Sequence, residues 1–187
     1  INNATIDVQG YSTLTVATGA TYTQAADASL WFNFGVGAIT GISRDKIDCT
    51  ITATTESALR TALALTGYRS VSITLSKSIS LTSNMTVPAG SYLNIQGASS
   101  APGSVVLTVP SGRTLTVAGN ISLPEGATLD IRTGATLQLT GNGSLKLVGG
   151  ELIANGTINY SGNAGIFRSV TTEEQLIAAI AAKASRL

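Results

Sequence analysis

Between Val71 and Tyr160, pairs of apolar residues separated by one polar residue recur every 20 to 24 positions, most often every 22. This interval constrains the fold more than anything else in the chain. The pairs fall into three columns. Ile73/Leu75, Leu93/Ile95, Leu115/Val117, Leu137/Leu139 and Ile158/Tyr160 form the first, and Met85/Val87, Leu107/Val109, Leu129/Ile131 and Leu152/Ala154 the second. The third holds Ile79/Leu81, Ile121/Leu123 and Leu145/Leu147, with a gap at the loop GASSAPGS, 97–104. Side chains within each unit alternate with the period of two that a strand imposes, and turn triplets such as PAG, PSG and GNG separate the units. A hairpin meander uses the same alternation. Like pairs at one fixed interval, however, stack in register only if each circuit of chain lies on the previous one. That arrangement is a parallel β-solenoid with rungs ~4.8 Å apart. The chain is therefore expected to be all-β, with three short strands per rung of about 22 residues and about four rungs between Val71 and Tyr160.

A second repeat has a longer period. ATTESALRTALA (53–64) and VTTEEQLIAAIA (170–181) match at a spacing of 117, with Leu59 and Leu176, Ala62 and Ala179, and Leu63 and Ile180 on one helical face. Thr171 with Glu174 makes a capping box, and Glu56 and Glu173 stand in first turns, where the helix dipole favours acids. Both segments are expected to be short amphipathic capping helices, the first over Thr54 to Ala64 and the second over Thr172 to about Ser185. Residues 3–22 resemble residues 126–145 at a spacing of 123, pairing Ile6 with Leu129 and Leu14 with Leu137. The organisation that follows has the closing rungs of a preceding solenoid unit over 1–50 and a helix-capped unit over 51–167. A helix over 168–187 then opens a following unit or caps the last rung. The chain opens at Ile1 without signal peptide or initiator methionine, which reads as a segment of something longer.

Composition narrows the chemistry. With 11 basic and 10 acidic residues the formal charge is +1, too weak a field to gather nucleic acid or an anionic membrane. The absence of histidine and the single cysteine, Cys49, remove His-ligated metals and Ser–His or Cys–His nucleophiles. No calcium loop, Walker motif or dinucleotide-binding spacing is present, so no cofactor is expected, and no apolar run reaches a membrane span.

The helix TTESALRTALA leading into SVSITLSKSISLTSNMTVPAGSYLNIQG resembles the opening of pectin-lyase-like right-handed β-helices, and the likeness covers about residues 51–160. It implies a right-handed solenoid. That superfold includes polysaccharide lyases and hydrolases, phage tailspikes and tail fibres, and bacterial surface adhesins. Its enzymes work with outward carboxylates on neighbouring rungs. Here the candidates are Asp130, stacked between Thr108 and Ile153, and Glu151, over Thr128. A solvated outer face carries such acids for solubility as well.

Thr74, Asn94, Thr116, Gln138 and Asn159 read as one outward polar row of the first column. Such a row either holds rungs together by side-chain hydrogen bonds or offers a flat surface to sugars. Trp31, in WFNFG (31–35), is the aromatic candidate for stacking on a sugar ring, with burial at a unit junction as the alternative. Asn3, Asn84, Asn120, Asn142, Asn155 and Asn159 head N-x-Ser/Thr triplets, either glycosylation acceptors or turn asparagines that precede strands. The expected function is a non-catalytic structural or adhesive module of an extracellular fibre, a repetitive bacterial surface adhesin or a phage tail fibre. Its expected location is the cell surface or the virion. Expected partners are neighbouring copies of the unit, other fibre proteins and cell-surface polysaccharide, with no nucleic acid and no membrane insertion. The rival is a polysaccharide-degrading tailspike-like enzyme built on Asp130 and Glu151.

Overall fold

The computed structural model describes residues 6–8, 13–18, 20–24, 30–33, 38–96 and 105–169. Upstream strands are β1 (Ile6–Val8), β2 (Thr13–Thr15), β3 (Leu30–Asn33), β4 (Ala38–Thr40) and β5 (Asp48–Ala53), followed by helix α1 (Glu56–Leu63). Four three-stranded rungs come next: β6 (Ser70–Leu75), β7 (Ile79–Ser80) and β8 (Met85–Val87); then β9 (Ser91–Ile95), β10 (Val105–Val109) and β11 (Thr114–Val117). The third rung is β12 (Asn120–Pro124), β13 (Ala127–Ile131) and β14 (Thr136–Leu139), and the fourth is β15 (Ser144–Val148), β16 (Glu151–Ala154) and β17 (Thr157–Tyr160). The last described strand, β18 (Gly165–Arg168), begins another circuit.

Every paired strand runs parallel to its neighbour, which makes the chain a parallel β-solenoid of three strands per rung, as the 22-residue interval requires. Three faces result. The first is the eight-stranded sheet β1-β3-β5-β6-β9-β12-β15-β18, and the others are the four-stranded sheets β7-β10-β13-β16 and β8-β11-β14-β17, while β2 and β4 pair in a separate two-stranded sheet upstream. Inward positions stack like on like. Ile73, Leu93, Ile121 and Leu145 form one file, Leu107 and Leu129 a second, and Leu115 and Leu137 a third, all at 0–1 % exposure. Removing such side chains from water is the main force holding the rungs together.

The columns differ from the expected ones upstream of the 97–104 loop. Ile73/Leu75 and Leu93/Ile95 stack on Ile121 and Leu145, Ile79 stacks on Leu107, and Met85/Val87 on Leu115/Val117. Each pair therefore sits one column away from its expected place. The loop lengthens its rung, so Ile79 and Leu107 stand 28 residues apart, and a ladder held at 22 crosses into the wrong sheet. Thr74 and Asn94 consequently belong to the first sheet, while Thr86, Thr116, Gln138 and Asn159 form the outward row of the third. The likeness between 3–22 and 126–145 misplaces β1 in the same way. Ile6 stacks on Leu30 in the first sheet, whereas Leu129 is in the second, because all three columns share one apolar–polar–apolar pattern.

Helix α1 takes the place of two strands. The chain leaves the first sheet at Ala53 and returns at Ser70 to pair with β5, and between them α1 lies where the other two sheets begin. Thr55 is its N-cap, its side-chain oxygen accepting from the Ala58 amide at 3.2 Å. Leu59, Ala62 and Leu63 are buried in the solenoid core. Glu56 accepts from the Thr82 amide through both oxygens, and Arg60 donates to the Ser83 and Asn84 carbonyls, so this pair satisfies the turn between β7 and β8. Upstream, Leu30, Ile47 and Cys49 form a second buried cluster, joined to the main core through Ile51, Leu65 and Tyr68.

Close stacking dictates residue type at the corners. A Cβ at Gly143 would run into the Val117 carbonyl of the rung below, and one at Gly119 into the carbonyls of Pro88 and Ser91. Only glycine lets the backbone approach so closely there.

Candidate functional site

Asp130 is an outward residue of β13, stacked between Thr108 and Ile153 as its place in the second column demands. The strand ends at Ile131, and the turn that follows brings Arg132 back over it. Arg132 Nε donates to Asp130 Oδ2 at 3.1 Å, with side-chain exposures of 64 % for Arg132 and 16 % for Asp130. A cleft of about 680 Å³ opens beside the pair along one corner of the solenoid, lined also by Pro110, Ser111, Ile153 and Asn155. Three successive rungs contribute to it. The carboxylate accepts and the guanidinium donates, so the pair offers a fixed hydrogen-bonding platform suited to hydroxyl groups.

Glu151 is exposed and stacks on Thr128, one step diagonal from Asp130 on the same outward face. An inverting glycosidase needs its two carboxyl groups about 6.5–9.5 Å apart and facing one substrate. Glu151 does not line the cleft, however. The two acids therefore share a face without sharing a pocket.

The third sheet carries Thr116 and Gln138, half-buried, and Asn159, exposed. Gln138 Nε2 donates at 3.4 Å to the carbonyl of Leu139 in its own strand, a bond along the strand and not between rungs. Trp31 lies on β3, with its backbone opposite Asp7 and Asp48, and its side chain is outside the described residues. Asn3 is outside them as well. Asn142, Asn155 and Asn159 are exposed. Asn84 and Asn120 serve the fold, since Asn84 Oδ1 accepts from the Thr114 amide at 3.0 Å and Asn120 Oδ1 from the Ser144 hydroxyl.

One polar group was not singled out by pattern. Asp48, 3 % exposed, receives Arg69 through both oxygens and the Ser70 hydroxyl through one. Its register opposite Ser70, 22 residues on, is the signal that finds it, because stacking brings residues one rung apart into contact. The network holds the junction between α1 and the upstream cluster. Nearby, burial pushes the Cys49 thiol up to about 11, which keeps it protonated and without nucleophilic use at neutral pH. Among the described residues, no group of three or more Asp, Glu or Cys side chains gathers to hold a metal, and no helix is long and apolar enough to cross a membrane.

Comparisons with protein-family models, with curated proteins and with solved structures give no match. The three-strand rung itself agrees with the pectin-lyase-like solenoid plan that residues 51–160 resemble.

Proposed function

We propose that this chain is a structural and adhesive β-solenoid module of an extracellular fibre, a repetitive surface adhesin or a phage tail fibre. Neighbouring copies of the unit or other fibre proteins continue it, and cell-surface polysaccharide is the partner of its polar faces. The observation that carries this reading is the first sheet. It runs unbroken from β1 to β18, past the helix at which the other two sheets begin. Seven steps of ~4.8 Å make it a rod of about 34 Å. A continuous sheet transmits load through its ladder of hydrogen bonds, and repetition extends it at little cost. The outward row Thr116, Gln138 and Asn159 adds many weak hydrogen-bonding positions, which suit a polysaccharide held by repetition.

A second reading rests on the Asp130–Arg132 cleft, where a carboxylate and a guanidinium line one open groove as in polysaccharide-cleaving members of the superfold. One experiment separates the two. The chain is incubated with bacterial capsular polysaccharide and with pectin, and both retention on the polymer and release of soluble fragments are measured. Retention without release, weakened by Thr116→Ala with Gln138→Ala, is the expected result. Release that disappears in Asp130→Asn would replace the fibre module with an enzyme.

A further inference from the structure

Among the described residues, three of the five large apolar side chains left exposed stand on the outward face of the first sheet. They are Tyr92 on β9, Val148 on β15 and Phe167 on β18, at 50 %, 46 % and 54 % exposure. The other two, Ile153 and Tyr160, belong to the last circuit, and the helix expected over Thr172 to about Ser185 beyond it lies outside the described residues. On the first sheet the apolar groups gather about one cation. Lys146 is two residues before Val148 on the same side of β15 and directly opposite Phe167, and among the described residues it makes no ion pair. Its row continues through Ser122 to Asn94, which shares the outward side of β9 with Tyr92.

A polar file joins the two rings. Phe167 leans along its strand over Gly165, where a Cβ would stand 3.3 Å from the ring edge, and Gly165 is stacked on Ser144. The Ser144 hydroxyl donates to Asn120 Oδ1, and Asn120 is stacked on Tyr92. The rings therefore flank this file across three rung steps, about 14 Å along the solenoid. The other faces lack the combination. From β6 to β18, Lys146 is the only charged residue at an outward strand position of the first sheet. The second sheet turns Asp130 and Glu151 outward, and the third only Thr, Gln and Asn.

We propose that the outward face of the first sheet, from Tyr92 to Phe167, binds an acidic polysaccharide, with the two rings stacking on sugar rings and Lys146 pairing with a carboxylate. Aromatic rings suit the C–H faces of sugars, amides and hydroxyls suit sugar hydroxyls, and an unpaired ammonium with no acid near it on the face selects for negative charge. A protein partner fits less well, because the apolar groups are separated by a polar file and form no continuous apolar centre. The inference rests on the reading of the chain as a polysaccharide-contacting module, and adds to it a second face and the charge class of the polymer.

Alginate, whose sugars carry carboxylates, and the same polymer with its carboxyls esterified are the probes, and affinity electrophoresis of the whole chain reads the binding. The parent is expected to bind alginate about fivefold more tightly than the ester, a preference that high salt removes. Lys146→Gln should bring alginate down to the affinity of the ester, and Tyr92→Ala and Phe167→Ala should each weaken both polymers about tenfold without lowering the melting temperature. Undiminished binding by both aromatic variants would overturn this site and leave the fibre reading to stand on Thr116 and Gln138. A parent that binds the ester as tightly as alginate, or binds neither, would overturn the acidic-polysaccharide assignment, while retention on capsular polysaccharide still judges the fibre reading separately. Binding to anionic phospholipid vesicles in place of both polymers would overturn it too, and assign the face to a membrane surface.

Discussion

The first and last of the four rungs bound the described stack of the second and third sheets, and their side chains alternate in the same way, yet they are buried to different degrees. In the first, Ile79, Leu81, Met85 and Val87 are 8 %, 2 %, 3 % and 0 % exposed. In the last, the equivalent Leu152 and Ile158 are only half-buried. Helix α1 makes the difference, because its Leu59, Ala62 and Leu63 do for the first rung what a further rung would do. Burial in a stack is thus set by neighbours on both sides, and the apolar–polar alternation of a strand shows only which side chains are available for it.

The sharpest way to break this comparison is a substitution series down one file, Met85, Leu115, Leu137 and Ile158. An aspartate placed at Leu115 or Leu137 meets apolar neighbours above and below, and each should cost about 4 kcal/mol or more, enough to unfold a marginal domain. Met85→Asp should approach that loss because α1 closes its side, whereas Ile158→Asp should cost only about 1–2 kcal/mol. The outward Gln138→Asp should stay within about 0.5 kcal/mol. Denaturant titration of the variants reads all of this, and equal losses at Met85 and Ile158 would show that the helix is not what protects the first rung.

Removing the helix contact directly comes next. Leu59 is fully buried, so Leu59→Ala should cost about 2–4 kcal/mol by lost transfer energy and the cavity left behind. Hydrogen exchange should place the loosening at β7 and β8, with β16 and β17 unaffected. Loosening spread evenly over all rungs would mean that the stack responds as one body and has no distinct capped end.

Gly143 offers a control at neither end. Gly143→Ala pushes a methyl group into the Val117 carbonyl and should cost about 1–3 kcal/mol by overpacking. The melting temperature should fall with the denaturant midpoint. If it rises instead, the rungs have room to separate at that corner and the close approach is not required.

These contrasts also show what was readable beforehand. The number of rungs, the three strands in each and the helix after Ala53 follow from a repeat interval and from the Glu56–Leu59–Ala62–Leu63 spacing, because both encode local geometry directly. The column to which Ile73 or Met85 belongs was misread. An eight-residue loop moves the register, and an x-apolar-polar-apolar unit looks alike on every face. The Asp130–Thr108–Ile153 stack was legible because it lies downstream of that loop, where the interval holds. The grip of Arg132 on Asp130, and of Arg69 on Asp48, was not. Those contacts depend on where a turn sends a long side chain, and strand periodicity carries no information about that.

The smallest effect tests how the cap is fastened. Burial raises the affinity of Glu56 for its proton and is the largest single influence, but the Arg60 guanidinium and the Thr82 amide act against it, and together they hold the carboxyl below its ordinary 4.5. Since the folded value lies below the unfolded one, the unfolded chain takes up the proton first as pH falls. The contribution of Glu56 is therefore fully present above about pH 4.5 and is lost as pH drops through the folded value. Glu56→Gln keeps the shape and removes the charge, and with the site partly solvated it should cost about 1 kcal/mol at pH 7. The difference between parent and variant stability, measured by thermal unfolding from pH 7 to pH 3, isolates this group from the other carboxylates. It should be flat down to about pH 5 and then shrink toward zero, with the slope at pH 3 to 4 shallower in the variant. A difference that persists at pH 3 would mean that Glu56 fastens the helix through its shape and its neutral hydrogen bonds, and that its charge is not needed to close the first rung.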